Sequence, residues 1–292
     1  MRELKGKCKT FIELYSFFVI LYHFIYASGL LSWLGITIGG IHPAISVGLI
    51  LSILYLLFPY SKKTQQTGIP WYDWILAILC LIPTGYYALN YEMLLYSALT
   101  PTDFEVVLGV VMIILCIEGV RRAIGLPLVI CGLIFVIYPL VANSLPGILF
   151  AAPVKFRRLI GYIYLGSQGF FSAGAQVFST TIITFVIFGQ LIAISGGGDF
   201  FLNLSLSAMG GRNGGPAKAA TIGSGLFGMI SGVAVANVVT TGSITIPMMK
   251  RKGYSPEFAG AVETVASTGG ALMPPVMGAL AFIMADYMGV PY

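Results

Sequence analysis

Charge is what this chain has least of: Asp, Glu, Lys and Arg make up 9% of its 292 residues, where a soluble domain carries about a quarter. With 57% hydrophobic residues and a mean hydropathy of +0.90, the chain reads as an integral membrane protein. Histidine is nearly absent, with only His23 and His42, so no HExxH motif and no local Ser/His pair can be assembled. The four cysteines, Cys8, Cys80, Cys116 and Cys131, stand alone without CxxC spacing, which argues against metal and disulfide roles. No patch interleaves basic with aromatic residues, so nucleic acid is excluded as a partner. The excess of 16 Lys and Arg over 11 Asp and Glu speaks instead of membrane orientation and contact with anionic lipid.

What is present is a series of charge-free apolar runs: Leu14–Leu34, Ala44–Phe58, Trp71–Leu89, Phe104–Ile117 and Leu126–Ala142. Each approaches the roughly 20 residues that cross a bilayer core. The first is longer than a signal-peptide core and follows Arg2, Lys5, Lys7 and Lys9, which predicts an uncleaved first span with a cytoplasmic N-terminus. Lys62 and Lys63 after the second run, and Arg121 and Arg122 after the fourth, alternate with Glu92 and Asp103 as the positive-inside rule requires. Lys155, Arg157 and Arg158 then fall on the outer side, so this stretch is read as an interfacial connector to a second module. A sixth span fits at about Gln176–Ile194, followed by a glycine-rich break at Ser195–Asp199, a short apolar segment Phe200–Met209, and turn formers at Gly210–Lys218. Glu118 with Arg121 and Arg122 is expected to pair along its helix, and His23 to be exposed or interhelical.

From Ala219 to Met249 no residue is charged, yet both flanks, Lys218 and Lys250–Lys252, are basic. A straight helix of that length would run about 45 Å and emerge on the far side. Basic ends on one side predict a re-entrant hairpin over 219–249, with its turn among the small and polar residues of Ser231–Asn237. Pro256–Ala266 reads as a helix, "STGGALMPP" at Ser267–Pro275 as a break, and Val276–Met288 as its resumption, a broken helix over 256–288. Unwound backbone at membrane depth survives only under protein or beside a water-filled cavity, where its carbonyls and hydroxyls suit a hard cation such as Na⁺ and half-helix N-termini suit anions. Asn237 brings four hydrogen-bonding sites into an apolar run, while Thr240, Thr241 and Ser243 could equally be packing and back-bonding residues. Glu263, one turn before the break, is expected either to pair with a buried Lys or Arg or to act directly.

The stretch Gly214–Tyr292, with "SGVAVANVVTTG" and "ASTGGALMPPVMG", resembles the large membrane subunit of tripartite ATP-independent periplasmic (TRAP) transporters, in particular the fused permeases of the TAXI-associated branch. On that resemblance, residues 1–160 are a small-subunit-like helical module with a connecting helix, and residues 161–292 the N-terminal part of the large-subunit (DctM-like) transport module. The resemblance implies an all-α polytopic fold of the elevator-carrier type in the inner membrane, and Na⁺-driven symport of organic acids such as dicarboxylates delivered by a periplasmic substrate-binding protein. It implies half of an ion and substrate site at Ser231, Gly232, Ala236, Asn237, Ser267, Thr268, Gly269 and Gly270, with Thr240 and Thr241 alongside and Na⁺ at Ser231, Asn237, Ser267 and Thr268. No catalytic residue and no cofactor beyond the coupling ion is expected. Val233 replaces the family's second serine, and Ala271 its usual glutamine. Only the first of two inverted repeats is present, so the expectation is an incomplete fragment completed by the remaining half of the large subunit.

Two other readings compete. One is a non-transporting membrane scaffold or relic. The other is an intramembrane aspartyl protease, because "GGGD" at Gly196–Asp199 and "YD" at Tyr72–Asp73 match short signatures. Both aspartates lie at the ends of predicted spans, which places them at the membrane interface, with Asp199 capping the helix that starts at Phe200.

Overall fold

The structure is a computed structural model and describes residues 2, 4–34, 39–61, 68–97, 100–274 and 277–291. Every regular element among them is helical. The chain divides into two compact units, Met1–Ser179 and Thr180–Tyr292. Four helical stretches are long and apolar enough to cross a membrane, Lys7–Ala27, Trp71–Leu89, Leu126–Ser144 and Ala173–Ile194, and His42–Leu57 and Ala279–Met288 are shorter apolar helices.

The first unit contains α1 (Lys7–Ala27), α2 (Leu30–Trp33), α3 (His42–Leu57), α4 (Trp71–Leu89), α5 (Tyr91–Ser97), α6 (Asp103–Ala123), α7 (Leu126–Val141), α8 (Phe156–Tyr164) and α9 (Ala173–Val177). The expected first span is cut after Ala27, where Gly29 takes a left-handed φ of 72° that no continuing helix allows. The charged loop residues Lys62 and Lys63 lie outside the described residues. α6 is held at its start by a capping box, Thr102 Oγ1 accepting from the Glu105 amide and Glu105 from the Thr102 amide. Tyr55, Leu108, Met112, Leu115 and Tyr164 form the buried centre. The two tyrosines are satisfied by carbonyls, Tyr55 Oη donating to Leu115 O and Tyr164 Oη to Pro83 O, both at 2.6 Å. The connector residues fold as α8, which buries Leu159, Ile160 and Tyr164 and exposes Phe156, Arg157 and Arg158.

Polar groups close one end of this unit. Asp73 is fully buried and ion-paired through both carboxylate oxygens, one to Arg2 and the other to Arg122 at 2.6 Å. Arg122 also reaches Glu118 at 2.7 Å, and Glu118 binds Arg121 at 2.6 Å, so the expected pairing along α6 is present and extends into a five-residue network. His23 is interhelical as well as buried, its Nε2 lying 3.1 Å from Ser46 Oγ on α3. All four cysteines are free.

A π-helical turn, Phe178–Ile182, interrupts the stretch Ala173–Ile194. The second unit then holds α10 (Ile183–Ile194), α11 (Gly197–Met209), α12 (Gly215–Ser231), α13 (Ala234–Arg251), α14 (Pro256–Gly270) and α15 (Ala279–Met288). The break expected at Ser195–Asp199 is shorter. Gly196, at φ 87°, turns the chain, and α11 restarts at Gly197. Asp199 therefore lies inside the first turn of α11 and makes no side-chain cap, contrary to the capping expectation, although its charge suits the amino end of the helix.

α12 and α13 are the two arms of the expected hairpin. Its turn is tighter than Ser231–Asn237: only Gly232, left-handed at φ 64°, and Val233, extended, leave the helix, and Asn237 is already helical. The second expectation needs a larger correction. Ser267, Thr268, Gly269 and Gly270 are the last turn of α14, and of the residues that follow, Ala271–Pro274, Met277 and Gly278 lie outside any helix. Neither Gly269 nor Gly270 breaks the helix, and Gly270 is a glycine because the backbone of α12 lies against it, 2.8 Å from an added Cβ. Pro274 is the breaker, since it has no N–H to donate and disfavours helix at the residue before it. Pro275 and Val276 lie outside the described residues.

Candidate functional site

The hairpin turn and the break after α14 are brought side by side. A Cβ added to Gly232 would lie 2.5 Å from Met277 O, and one on Gly278 3.2 Å from both Gly232 O and Ala271 O. Three backbone carbonyls thus crowd two glycines that have no side chain to intrude. Met277 is held at φ 60°, the one non-glycine residue with positive φ among those described, a conformation that the surrounding packing must enforce.

Helix polarity follows from the packing partners. Ser224 meets Glu263 and Ser267, and Gly228 meets Gly270, so α12 and α14 run parallel, with α13 antiparallel to both. The carbonyl ends of α12 and α14 therefore finish together at the paired breaks, where α13 and α15 begin. Neither α13 nor α15 has a side-chain cap on its first turn. Each helix end carries roughly half an elementary charge, negative at the carbonyl end and positive at the amide end. The hydroxyl of Ser231, buried in the last turn of α12, has no hydrogen-bond partner. Hard carbonyl oxygens and an unpartnered buried hydroxyl are a donor set that fits Na⁺.

About two turns deeper lies a second polar feature. Glu263 is fully buried and takes hydroxyl hydrogen bonds from three helices. Thr241 Oγ1 on α13 and Ser224 Oγ on α12 donate to its Oε1 at 2.5 and 2.8 Å. Thr245 Oγ1 on α13 donates to its Oε2 at 2.5 Å, and Ser267 Oγ, on its own helix, lies 3.3 Å from Oε1. Asn237 completes the cluster by donating to Ser224 O at 2.8 Å. Ser224, Asn237, Thr241, Thr245, Glu263 and Ser267 are each at most 1% exposed. Among the described residues no Lys or Arg pairs with Glu263, so of the two roles expected for it the basic partner is not found.

The predicted site residues separate into three groups. Ser231 and Gly232 are at the paired breaks, and Gly270 is at their edge. Asn237, Thr241 and Ser267 belong to the Glu263 cluster. The rest stand apart: Ala236 is half-buried in the first turn of α13, its carbonyl accepting from Thr240 Oγ1 at 2.9 Å, Ser243 is exposed and back-bonds Thr240 O, and Thr268 is exposed and back-bonds Thr264 O. Gly269 has nothing within 4 Å of an added Cβ. Sequence reasoning missed Ser224 and Thr245, although Asn237, Thr241 and Thr245 at spacing four, and Glu263 and Ser267 likewise, mark one polar stripe on each of two helices. It also missed that Gly228 is required: a Cβ there would meet Asn237 Nδ2 at 2.7 Å and Gly270 Cα at 2.9 Å.

The protease reading fails at Asp73, whose two oxygens are already engaged by two guanidiniums and cannot share a proton with a second carboxylate.

Apolar helices interrupted side by side, in a chain whose described regular elements are all helical, are how membrane carriers build a binding site and point to the class of membrane permeases. Residues 110–292 match the family described as "Tripartite ATP-independent periplasmic transporter, DctM component", and the chain belongs to that family. It is 32% identical over 125 residues to the C4-dicarboxylate TRAP transporter large permease protein DctM of Vibrio cholerae, covering 42% of this chain and 28% of that protein. It is 31% identical over 160 residues to the isethionate TRAP transporter permease protein DctMQ of Oleidesulfovibrio alaskensis, covering 54% of this chain and 22% of that one. Similarity to the uncharacterized protein YgiK of Salmonella typhimurium is 33% over 91 residues, 31% of this chain and 21% of that protein. The aligned part is thus between 21% and 28% of the length of these curated relatives. No solved structure matches.

Proposed function

We propose that this chain is the permease component, in part, of a Na⁺-driven, binding-protein-dependent carrier of organic acids in the inner membrane. One observation carries the reading: two helical breaks side by side, with two carbonyl helix ends and two uncapped amide ends converging on them. The carbonyl ends, Gly232 O, Ala271 O, Met277 O and the free hydroxyl of Ser231 suit the cation, and the amide ends of α13 and α15 suit a carboxylate. Cation and acid would then neutralise each other where each alone would be costly to bury. The relatives named for C4-dicarboxylate and isethionate support an organic anion as cargo.

In this reading the chain is of the TAXI-associated fused type, with its N-terminus in the cytoplasm. A periplasmic substrate-binding protein delivers the acid. The hairpin and broken helix are the first of two inverted repeats of an elevator carrier. The complementary half of the site comes from large-subunit sequence beyond that seen here, in keeping with the fraction of the relatives' length that aligns. The test is uptake of labelled C4-dicarboxylates and related acids into proteoliposomes holding the reassembled permease and its binding protein. Uptake should require an inward Na⁺ gradient, and uptake undiminished when choline replaces Na⁺ would refute the coupling.

A further inference from the structure

Glu263 is a carboxylate buried in the second unit, bound by hydroxyls and by no basic side chain among the described residues. A hub that merely tied three helices together would have no need of charge, because an amide of the same shape makes as many hydrogen bonds without the desolvation penalty of an ion. Four hydroxyl contacts soften that penalty but bring no opposite charge. A positive charge held nearby would.

We propose that Glu263 is a fixed negative charge that raises the cation affinity of the paired breaks, acting through the field rather than by direct ligation. The proposal rests on the cation reading of those breaks. Glu263 stands eight residues before Ala271 on α14, about 12 Å along the helix at 1.5 Å per residue. Its oxygens are occupied by Ser224, Thr241 and Thr245, so it is a positioning residue and not a ligand. At that separation and an effective dielectric constant of about 20, one unit charge changes the affinity for a monovalent cation by about ten-fold. The hydroxyl cluster fixes where the charge sits and binds both hairpin arms to α14, so the charge and the breaks stay in register.

Two substitutions separate field from framework. Glu263→Gln keeps the shape and removes the charge, and the surrounding hydroxyls can turn to accept from the new amide. Glu263→Asp keeps the charge and withdraws it from its partners by one methylene. The readout is the thermal unfolding midpoint of the purified chain in nanodiscs, titrated with NaCl against choline chloride at constant ionic strength. The half-saturating Na⁺ concentration should rise about ten-fold in Glu263→Gln, whose midpoint without Na⁺ should be no lower than that of the unmodified protein. In Glu263→Asp the midpoint without Na⁺ should fall while half-saturation stays within two-fold. Unchanged half-saturation in Glu263→Gln overturns the proposal and leaves the cation site standing. If Glu263→Gln cannot be purified, Glu263→Asp decides alone: retained half-saturation supports the field, and a ten-fold rise overturns it. An unmodified protein indifferent to Na⁺ would overturn the cation site itself and the proposal with it.

Discussion

Replacing Gly270 by alanine tests the packing on which the candidate site depends. An added Cβ would stand 2.8 Å from Gly228 Cα and 3.0 Å from Gly225 O, and both are backbone atoms of α12 that cannot swing aside. Overpacking of this kind costs about 1–3 kcal/mol. Gly260, in the interior of the same helix, has nothing within 4 Å of an added Cβ. There alanine should stabilise, by up to about 1 kcal/mol, because glycine is the poorer helix former. The two substitutions are chemically identical and sit ten residues apart on α14, yet they should act with opposite sign and differ by about 1–4 kcal/mol. At roughly 2–4 °C per kcal/mol, their unfolding midpoints in detergent should be separated by several degrees, with Gly270→Ala the lower. A Gly270→Ala protein as stable as Gly260→Ala would show that α12 and α14 do not touch here and would remove the basis for placing the two breaks together.

Three further outcomes are expected. Asp73→Asn should cost about 3–5 kcal/mol in thermal unfolding, since it leaves Arg2 and Arg122 buried without their shared counter-charge. Ser231→Ala should leave stability without Na⁺ unchanged or slightly higher, because the hydroxyl has no partner, yet it should weaken Na⁺-dependent stabilisation in the same NaCl titration. Thr241→Val should lose about 1.5–3 kcal/mol with its hydrogen bond to the Glu263 carboxylate, while Thr268→Val, exposed on the other side of α14, should stay within about 0.5 kcal/mol.

Much of the helical layout was legible in the sequence, because hydropathy and local punctuation agree. Trp71–Leu89 matches to the residue, and the hairpin turn falls on Gly232 within the stretch marked for it. The legible part ends where tertiary contact overrides a local rule. Gly269 and Gly270 read as helix breakers, but the second is a glycine because another backbone lies against it, and that reason exists only once α12 is in place. Asp73 lies in the first turn of its helix, as the sequence indicates, but its partners Arg2 and Arg122 lie 71 and 49 residues away along the chain, and no periodicity reports such a distance. Of the candidate site, the small residues at the breaks were found by composition. The cluster around Glu263 was half seen, since Asn237 and Thr241 drew notice singly and their common stripe with Thr245 did not.

The touching backbones of α12 and α14 set a limit on how this part of the protein can move. With Gly228 and Gly270 in contact, neither helix can slide along the other unless a carbonyl rides over an α-carbon, so a shift of either hairpin arm drags α14 along. On the carrier reading proposed above, an ion lodged between the breaks would travel as freight in a box with stiff walls, never handed from one wall to the next.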